Sequence, residues 1–69
     1  MSYYEMTGSA IGSFLQHSAA FHDFYSAYNE AKRRHLHEFK IIEVRSERDV
    51  PRVQRRIIRW QCVDGVEIA

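Results

Sequence analysis

The most regular feature of the sequence is an apolar stripe in its first half. Its members recur at spacings of seven, three, four, three and four residues, which matches one face of an α-helix. Ser13 lies three residues before Gln16, a spacing typical of a helix N-terminal capping box. We therefore predict a helix over about residues 14–36. Its stripe consists of Phe14, Phe21, Phe24, Tyr28, Ala31 and His35, and the four aromatic members are expected in the core.

The second half of the sequence favours strands. Residues 39–45 are rich in β-branched side chains and predict a strand. Residues 53–63 fit two patterns. As a strand neither face is uniformly apolar. As a helix with Asp49 as its N-cap, one face carries the apolar residues Val50, Val53, Ile57 and Trp60. We favour the strand, because sheet-forming side chains dominate and Asp64-Gly65 is a typical hairpin turn. Residues 66–68 then form a short final strand.

These elements predict an α+β fold in a single small domain over residues 1–69. One long amphipathic helix packs on a small antiparallel sheet of two to three strands, which is the simplest way to bury both apolar surfaces. Residues 1–12 are predicted to be an extended lead-in, either a short edge strand or a segment that packs on the domain. Residues from about 39 to 69 form a β-hairpin region.

The composition agrees with a small globular domain. The chain has 69 residues, of which 45% are hydrophobic and 28% charged, close to ordinary globular values. The single cysteine, Cys62, excludes an internal disulfide and is expected to be a small buried hydrophobe. No apolar run is long enough for a membrane span, and the N-terminus lacks the layout of a signal peptide. We therefore expect a cytoplasmic protein.

The net charge of +1 hides two opposed blocks. Residues 32–59 contain all ten basic residues and four acidic ones, a formal charge of +6. The other residues contain five acidic side chains and no lysine or arginine, a formal charge of −5. Eight of the basic residues are arginines, whose planar guanidinium groups suit phosphates and carboxylates. The basic block is either an anion-binding face or a solvated surface that its own acids partly neutralise.

The candidate binding residues come from this block and from the helix. Tyr25 lies beside the apolar stripe, and exposed tyrosine and arginine side chains are typical of interface hot spots. Trp60 fits either an interface or the core. The predicted partner-binding or nucleic-acid-binding set is Tyr25, Arg33, Arg34, Arg45, Arg52, Arg55, Arg56 and Arg59.

Catalytic and metal-binding patterns are weak. His17 and His22 do not share a helix face well, and His35 and His37 approach a common ion only if the helix ends between them. No motif places a nucleophile beside a base, and a chain of this size leaves little room for a substrate pocket. We expect no enzymatic activity, no cofactor and no metal.

The sequence therefore predicts a small protein-binding module, an inhibitor or adaptor that occupies the surface of a partner protein. Chains of this size and type are common among accessory proteins of phages and mobile elements, although no stretch resembles a particular family. The alternative is a nucleic-acid-binding protein that uses an arginine-rich face. Homodimerisation is compatible with both hypotheses, because a second copy would bury more of the apolar stripe.

Overall fold

The computed structural model of the protein describes residues 2–46 and 54–68. The described chain forms one antiparallel sheet of five strands in the order β2-β1-β3-β4-β5, with a single helix between β2 and β3. The three long strands β1, β3 and β4 occupy the centre of the sheet. The elements are β1 (Ser2–Ala10), β2 (His17–Phe21), α1 (Phe24–Arg33), β3 (Leu36–Ser46), β4 (Gln54–Val63) and β5 (Val66–Ile68).

The predicted architecture of one long helix on two to three strands is wrong. The helix has ten residues and begins at Phe24, and the preceding apolar positions belong to the β1–β2 connection and to β2. Phe14 is fully exposed, so it is not a core residue. A spacing of seven residues between Phe14 and Phe21 fits a helix, but backbone pairing of β2 with β1 overrides that local preference.

The prediction of a lead-in at the N-terminus also needs correction. β1 is an interior strand of nine residues that pairs with β2 on one side and with β3 on the other. Tyr4 and Met6 point to the helix side of the sheet, where Met6 is completely buried. The intervening residues, Tyr3 and Glu5, lie on the opposite face, as the two-residue period of a strand requires.

Local signals define both ends of α1. The Asp23 carboxylate caps the N-terminus by accepting a hydrogen bond of 2.8 Å from the backbone N–H of Ser26. At the C-terminus, the backbone of His35 adopts a positive φ of 55°, which ends the helix and turns the chain into β3. Ala27 and Ala31 are the buried helix residues. Their small side chains allow the helix backbone to lie close to the sheet.

The core lies between α1 and the sheet. An aromatic cluster surrounds it, in which the ring of Phe24 lies within 6.3 Å of Tyr4, Tyr28 and Trp60, measured between centroids. This packing confirms that Phe24 and Tyr28 belong to the core region, as predicted. The buried members are Met6, Ala27, Ala31, Leu36, Phe39, Ile41 and Cys62.

The strand prediction for the C-terminal region is confirmed over the residues described. β4 spans Gln54–Val63, and a two-residue turn at Asp64-Gly65 joins it to β5. Both turn residues have positive φ, 52° and 79°, as a hairpin turn of the Asp-Gly type requires. Residues 47–53 lie outside the described residues, so the prediction for Val53 does too.

A β-bulge explains why neither face of β4 looks apolar in the sequence. Ile41 pairs with Trp60, but the next residue of β3, Ile42, pairs with Ile58, so Arg59 is an extra residue in β4. The bulge shifts the alternation by one position. Ile57 and Trp60 therefore lie on the helix side of the sheet, although a regular strand would place them on opposite faces.

Candidate interaction surfaces

The arginines predicted to form one binding face lie in three separate places. Arg33 and Arg34 end the helix, whereas Arg45, Arg55 and Arg59 lie on the helix side of the sheet at the other end of β3 and β4. Arg56 lies on the open face, which is the side of the sheet opposite α1. Arg52 lies outside the described residues.

The group on β3 and β4 is organised around a buried acid. Glu43 is only 5% exposed and accepts hydrogen bonds of 2.6 Å from the Nε atoms of both Arg45 and Arg59. These hydrogen bonds hold the pKa of Glu43 below its usual value, Arg45 making the largest contribution. Arg55 is the cross-strand neighbour of Arg45. Glu43 thus neutralises part of the charge of this cluster and fixes the orientation of two guanidinium groups.

The arginines at the end of the helix share another acid. The Glu30 carboxylate accepts from Arg33 Nε at 2.6 Å and from Arg34 Nε at 3.0 Å. These two hydrogen bonds, that of Arg33 first, lower the pKa of Glu30 to about 2. Arg34 also lies 3.3 Å from the ring Nδ1 of His17 on β2. The guanidinium groups at the basic end of the helix are therefore already bound to other side chains of the protein.

Arg56 forms an ion pair with Glu5 across the central strand β3. Register places both residues on the open face, beside Ile42 and Val44. Val44 is fully buried although it lies on the face away from the helix, and its cross-strand neighbours there are Tyr3 and Arg56. Each described group of predicted arginines therefore includes an acidic partner.

The two aromatic candidates have different environments. Tyr25 is 72% exposed near the start of α1, and its ring lies edge-on to Phe24 at 5.5 Å. Trp60 packs in the aromatic cluster, and its indole N–H donates to Glu67 at 3.1 Å. Tyr25 is thus available for a contact, whereas Trp60 is mainly a packing residue that helps to hold β5.

A feature that the sequence reasoning missed is an apolar patch on the open face. We define the open-face patch as Ile58, Val63, Val66 and Ile68. These are four exposed residues of β4 and β5, and the register places them on the same side of the sheet. Their exposed fractions lie between 44% and 61%. In the sequence, the alternation across the turn indicates that Val63, Val66 and Ile68 share a face. Nothing in the sequence indicates that Ile58 joins them, because the bulge shifts the alternation of β4.

Two concave surfaces of the described chain are small. One, of about 140 Å³, lies beside the open-face patch and is lined by residues that include Thr7, Lys40 and Gln61. A second, of about 250 Å³, lies between the end of the helix and the β4–β5 turn, next to His35 and His37. Both are below the roughly 300–1,000 Å³ typical of small-molecule sites.

The described histidines and the cysteine lie in separate parts of the fold and form no metal-binding group there. No group of three or more histidine, cysteine or acidic side chains is placed to hold a metal ion in that part of the chain. Cys62 is buried as predicted and donates a weak hydrogen bond from Sγ to the carbonyl of His37 at 3.4 Å. His37 lies 3.9 Å from Asp64, which is too distant for a direct hydrogen bond.

Comparisons with known proteins assign no family to this chain. No protein-family model, curated protein or solved structure matches it. Within residues 2–46 and 54–68, no helix has the length and apolar character needed to cross a membrane.

Proposed function

We propose that this protein is a non-enzymatic protein-binding module that acts by occupying the surface of a partner protein, as an inhibitor or adaptor does. The observation that carries the proposal is the open-face patch. Four large aliphatic side chains lie together on the side of the sheet that α1 leaves uncovered. Exposed apolar side chains that gather on one face inside a rim of polar residues are typical of an interaction site.

The surroundings of the patch support a protein partner and indicate its chemistry. Lys40 and Gln61 flank the patch, and the Glu5–Arg56 pair lies beyond it. An apolar centre with a polar rim is the usual anatomy of a protein–protein interface. Lys40 is exposed and forms no ion pair with a described residue. We infer a partner surface that is apolar and carries an acidic side chain opposite Lys40.

Nucleic-acid binding has weaker support. The predicted arginines are divided among three places, and Glu30, Glu43 and Glu5 each engage one of these groups. A phosphate backbone would have to compete with these internal ion pairs for the same guanidinium groups. A protein partner therefore remains the favoured hypothesis, and nucleic acid is an outcome that the experiment must be able to detect.

The test compares proteins retained by the immobilised wild type and by two variants. The first combines Ile58→Thr with Ile68→Thr, which removes apolar surface but keeps β-branched side chains suited to a strand. The control is Ile11→Ser, which removes an exposed apolar side chain from the β1–β2 connection.

We expect a protein that the wild type and Ile11→Ser retain and that the double variant loses. Circular dichroism checks that all three proteins are folded. Equal retention by the double variant would contradict the proposal. Recovery of nucleic acid alone, together with binding of labelled DNA or RNA at low salt, would favour the alternative function.

A further inference from the structure

We propose that two copies of this chain pair through their β2 strands and form a continuous sheet across a two-fold axis. The inference concerns a different surface from the open-face patch and does not rest on the proposed function. It starts from the position of β2 at the outer edge of the sheet, where it pairs only with β1 among the described strands. One side of its backbone is therefore free to pair with another strand.

β2 lacks the features that normally protect an edge strand. Natural sheets block their edges with charged residues, proline, bulges or very short strands. The sequence of β2, His17-Ser18-Ala19-Ala20-Phe21, contains no lysine, arginine, acid or proline, and its pairing with β1 has no register shift. The opposite edge differs, since β5 has only three residues and includes Glu67. The β2 edge is thus the one suited to strand addition.

The sequence of β2 is compatible with antiparallel pairing to itself. A two-fold axis at Ala19 places Ala19 opposite its own copy and Ser18 opposite Ala20 of the second copy. These small side chains present no steric barrier to close approach. An axis perpendicular to the sheet also keeps both helices on the same face of the resulting ten strands.

This arrangement accounts for exposed apolar residues outside the open-face patch. Phe14 is fully exposed and Leu15 is 75% exposed, in the segment just before β2. Antiparallel pairing about Ala19 brings this segment to the level of the helix N-terminus of the second copy, where Tyr25 is 72% exposed. Symmetry repeats the contact, so both copies gain cover for these side chains.

The first experiment measures the mass in solution by sedimentation equilibrium. We expect the wild type to have twice its chain mass of 8.2 kDa at micromolar concentration. Ser18→Lys places a charge at the exposed β2 edge and should raise the dissociation constant of the dimer by roughly tenfold or more. Val66→Lys introduces the same charge on β5, at the opposite edge, and should leave the dimer intact.

Phe14→Ser provides a second variant that lies outside the sheet, and it should also weaken the dimer. Circular dichroism establishes that each variant is folded. A wild type that is monomeric up to about 100 µM would overturn the proposal, since a standard interface gives far tighter binding. Dissociation by Val66→Lys equal to that by Ser18→Lys would also overturn it.

The second experiment tests the register. Facing residues of antiparallel strands have Cα atoms about 4.5–5.5 Å apart, within the range that a disulfide spans. Under oxidising conditions, Ala19→Cys should form a covalent dimer readily. Ser18→Cys should do so poorly, because its copy lies on the diagonal at about 7–8 Å. Equal cross-linking of the two variants would contradict pairing about Ala19.

Discussion

At the scale of single residues, the approach of neighbouring strands decides which side chains are tolerated, and Gly8 is the clearest case. Gly8 pairs with Phe39 in the β1–β3 ladder. A Cβ atom built at Gly8 would lie 2.3 Å from the carbonyl oxygen of Glu38 and 2.5 Å from the Cβ of Phe39. Phe39 is 3% exposed and belongs to the core. Glycine at this position therefore allows β1 to approach β3 at a buried residue.

Gly8→Ala is accordingly expected to lower the free energy of unfolding by about 1–3 kcal/mol, because the strands must separate to accommodate the added methyl group. Urea denaturation followed by tryptophan fluorescence measures the change. Ser9→Ala is the matched control, since it alters the next residue of the same strand on the opposite face. Equal urea midpoints for the two variants would show that the close contact at Gly8 carries no energetic cost.

At the scale of elements, the helix is short because strand pairing competes for the residues that precede it. β2 forms a ladder of five residue pairs with β1, from Tyr4–Phe21 to Gly8–His17. A helix from residue 14 would place Phe14 on the core and would leave this side of β1 without its partner strand. The observed arrangement instead buries the backbone polar groups of β1 between two strands and leaves Phe14 in solvent.

Two phenylalanine substitutions test this assignment. Phe14→Ser should change the free energy of unfolding little when it is measured at low protein concentration, because the side chain is fully exposed. Phe39→Ala should cost about 3–5 kcal/mol, the usual result of removing a buried aromatic side chain. Chemical denaturation compares both variants with the wild type. A large loss of stability in Phe14→Ser at high dilution would instead support the long helix.

The helix also depends on its N-terminal cap. Asp23 Oδ1 accepts from the Ser26 backbone N–H, and Oδ2 accepts from the Ser26 hydroxyl, both at 2.8 Å. Asp23→Ala should lower the melting temperature by a few degrees, because it leaves a backbone donor without its partner. Asp23→Asn should retain most of the stability, since asparagine caps helices nearly as well. Thermal unfolding followed by circular dichroism compares the two, and equal losses would argue against a capping role.

At the scale of the whole molecule, the charge blocks of the sequence become a network that links its elements. Glu67 on β5 accepts hydrogen bonds from Tyr28 at 2.7 Å and from Lys32 at 3.0 Å, which connects the last strand to the helix. These bonds, that of Tyr28 first, lower the pKa of Glu67. Glu30 and Glu43 pair with arginines in the same way. The fold therefore uses much of its basic block for internal ion pairs.

This network predicts loss of stability in acid. A glutamate whose pKa is lower in the folded state stabilises the fold above its unfolded pKa, and this contribution disappears as the pH falls towards the folded pKa. For Glu30 the interval extends from 4.5 down to about 2. We expect the melting temperature of the wild type to fall through this interval.

Glu30→Gln should make the same curve less steep between these pH values, because its side chain no longer titrates. Glu38→Gln is the matched control, since Glu38 is exposed and makes no ion pair with a described residue. Melting curves recorded from neutral to acid pH provide the comparison. An acid dependence that is identical in the wild type and Glu30→Gln would contradict a stabilising role for the helix-end pairs.

Sequence reasoning could identify only part of the candidate interaction surfaces. Tyr25 is exposed, as the sequence suggested, and the arginines lie within the predicted basic block. Their separation onto different faces follows from strand register, which the sequence does not display. The open-face patch depends in addition on the bulge at Arg59, because that extra residue brings Ile58 to the same side as Val63.

The sequence by itself determined the features that local chemistry controls. The strand over the described part of 53–63, the Asp64-Gly65 turn and the burial of Cys62 follow from side-chain shape, alternation and turn dihedral angles. Only the tertiary structure decided that residues 2–21 form two strands, because their pairing joins positions as far apart as Tyr4 and Glu43. Such contacts form backbone hydrogen bonds between distant segments. The free energy gained in this way outweighs the local preference of a short stretch for a helix.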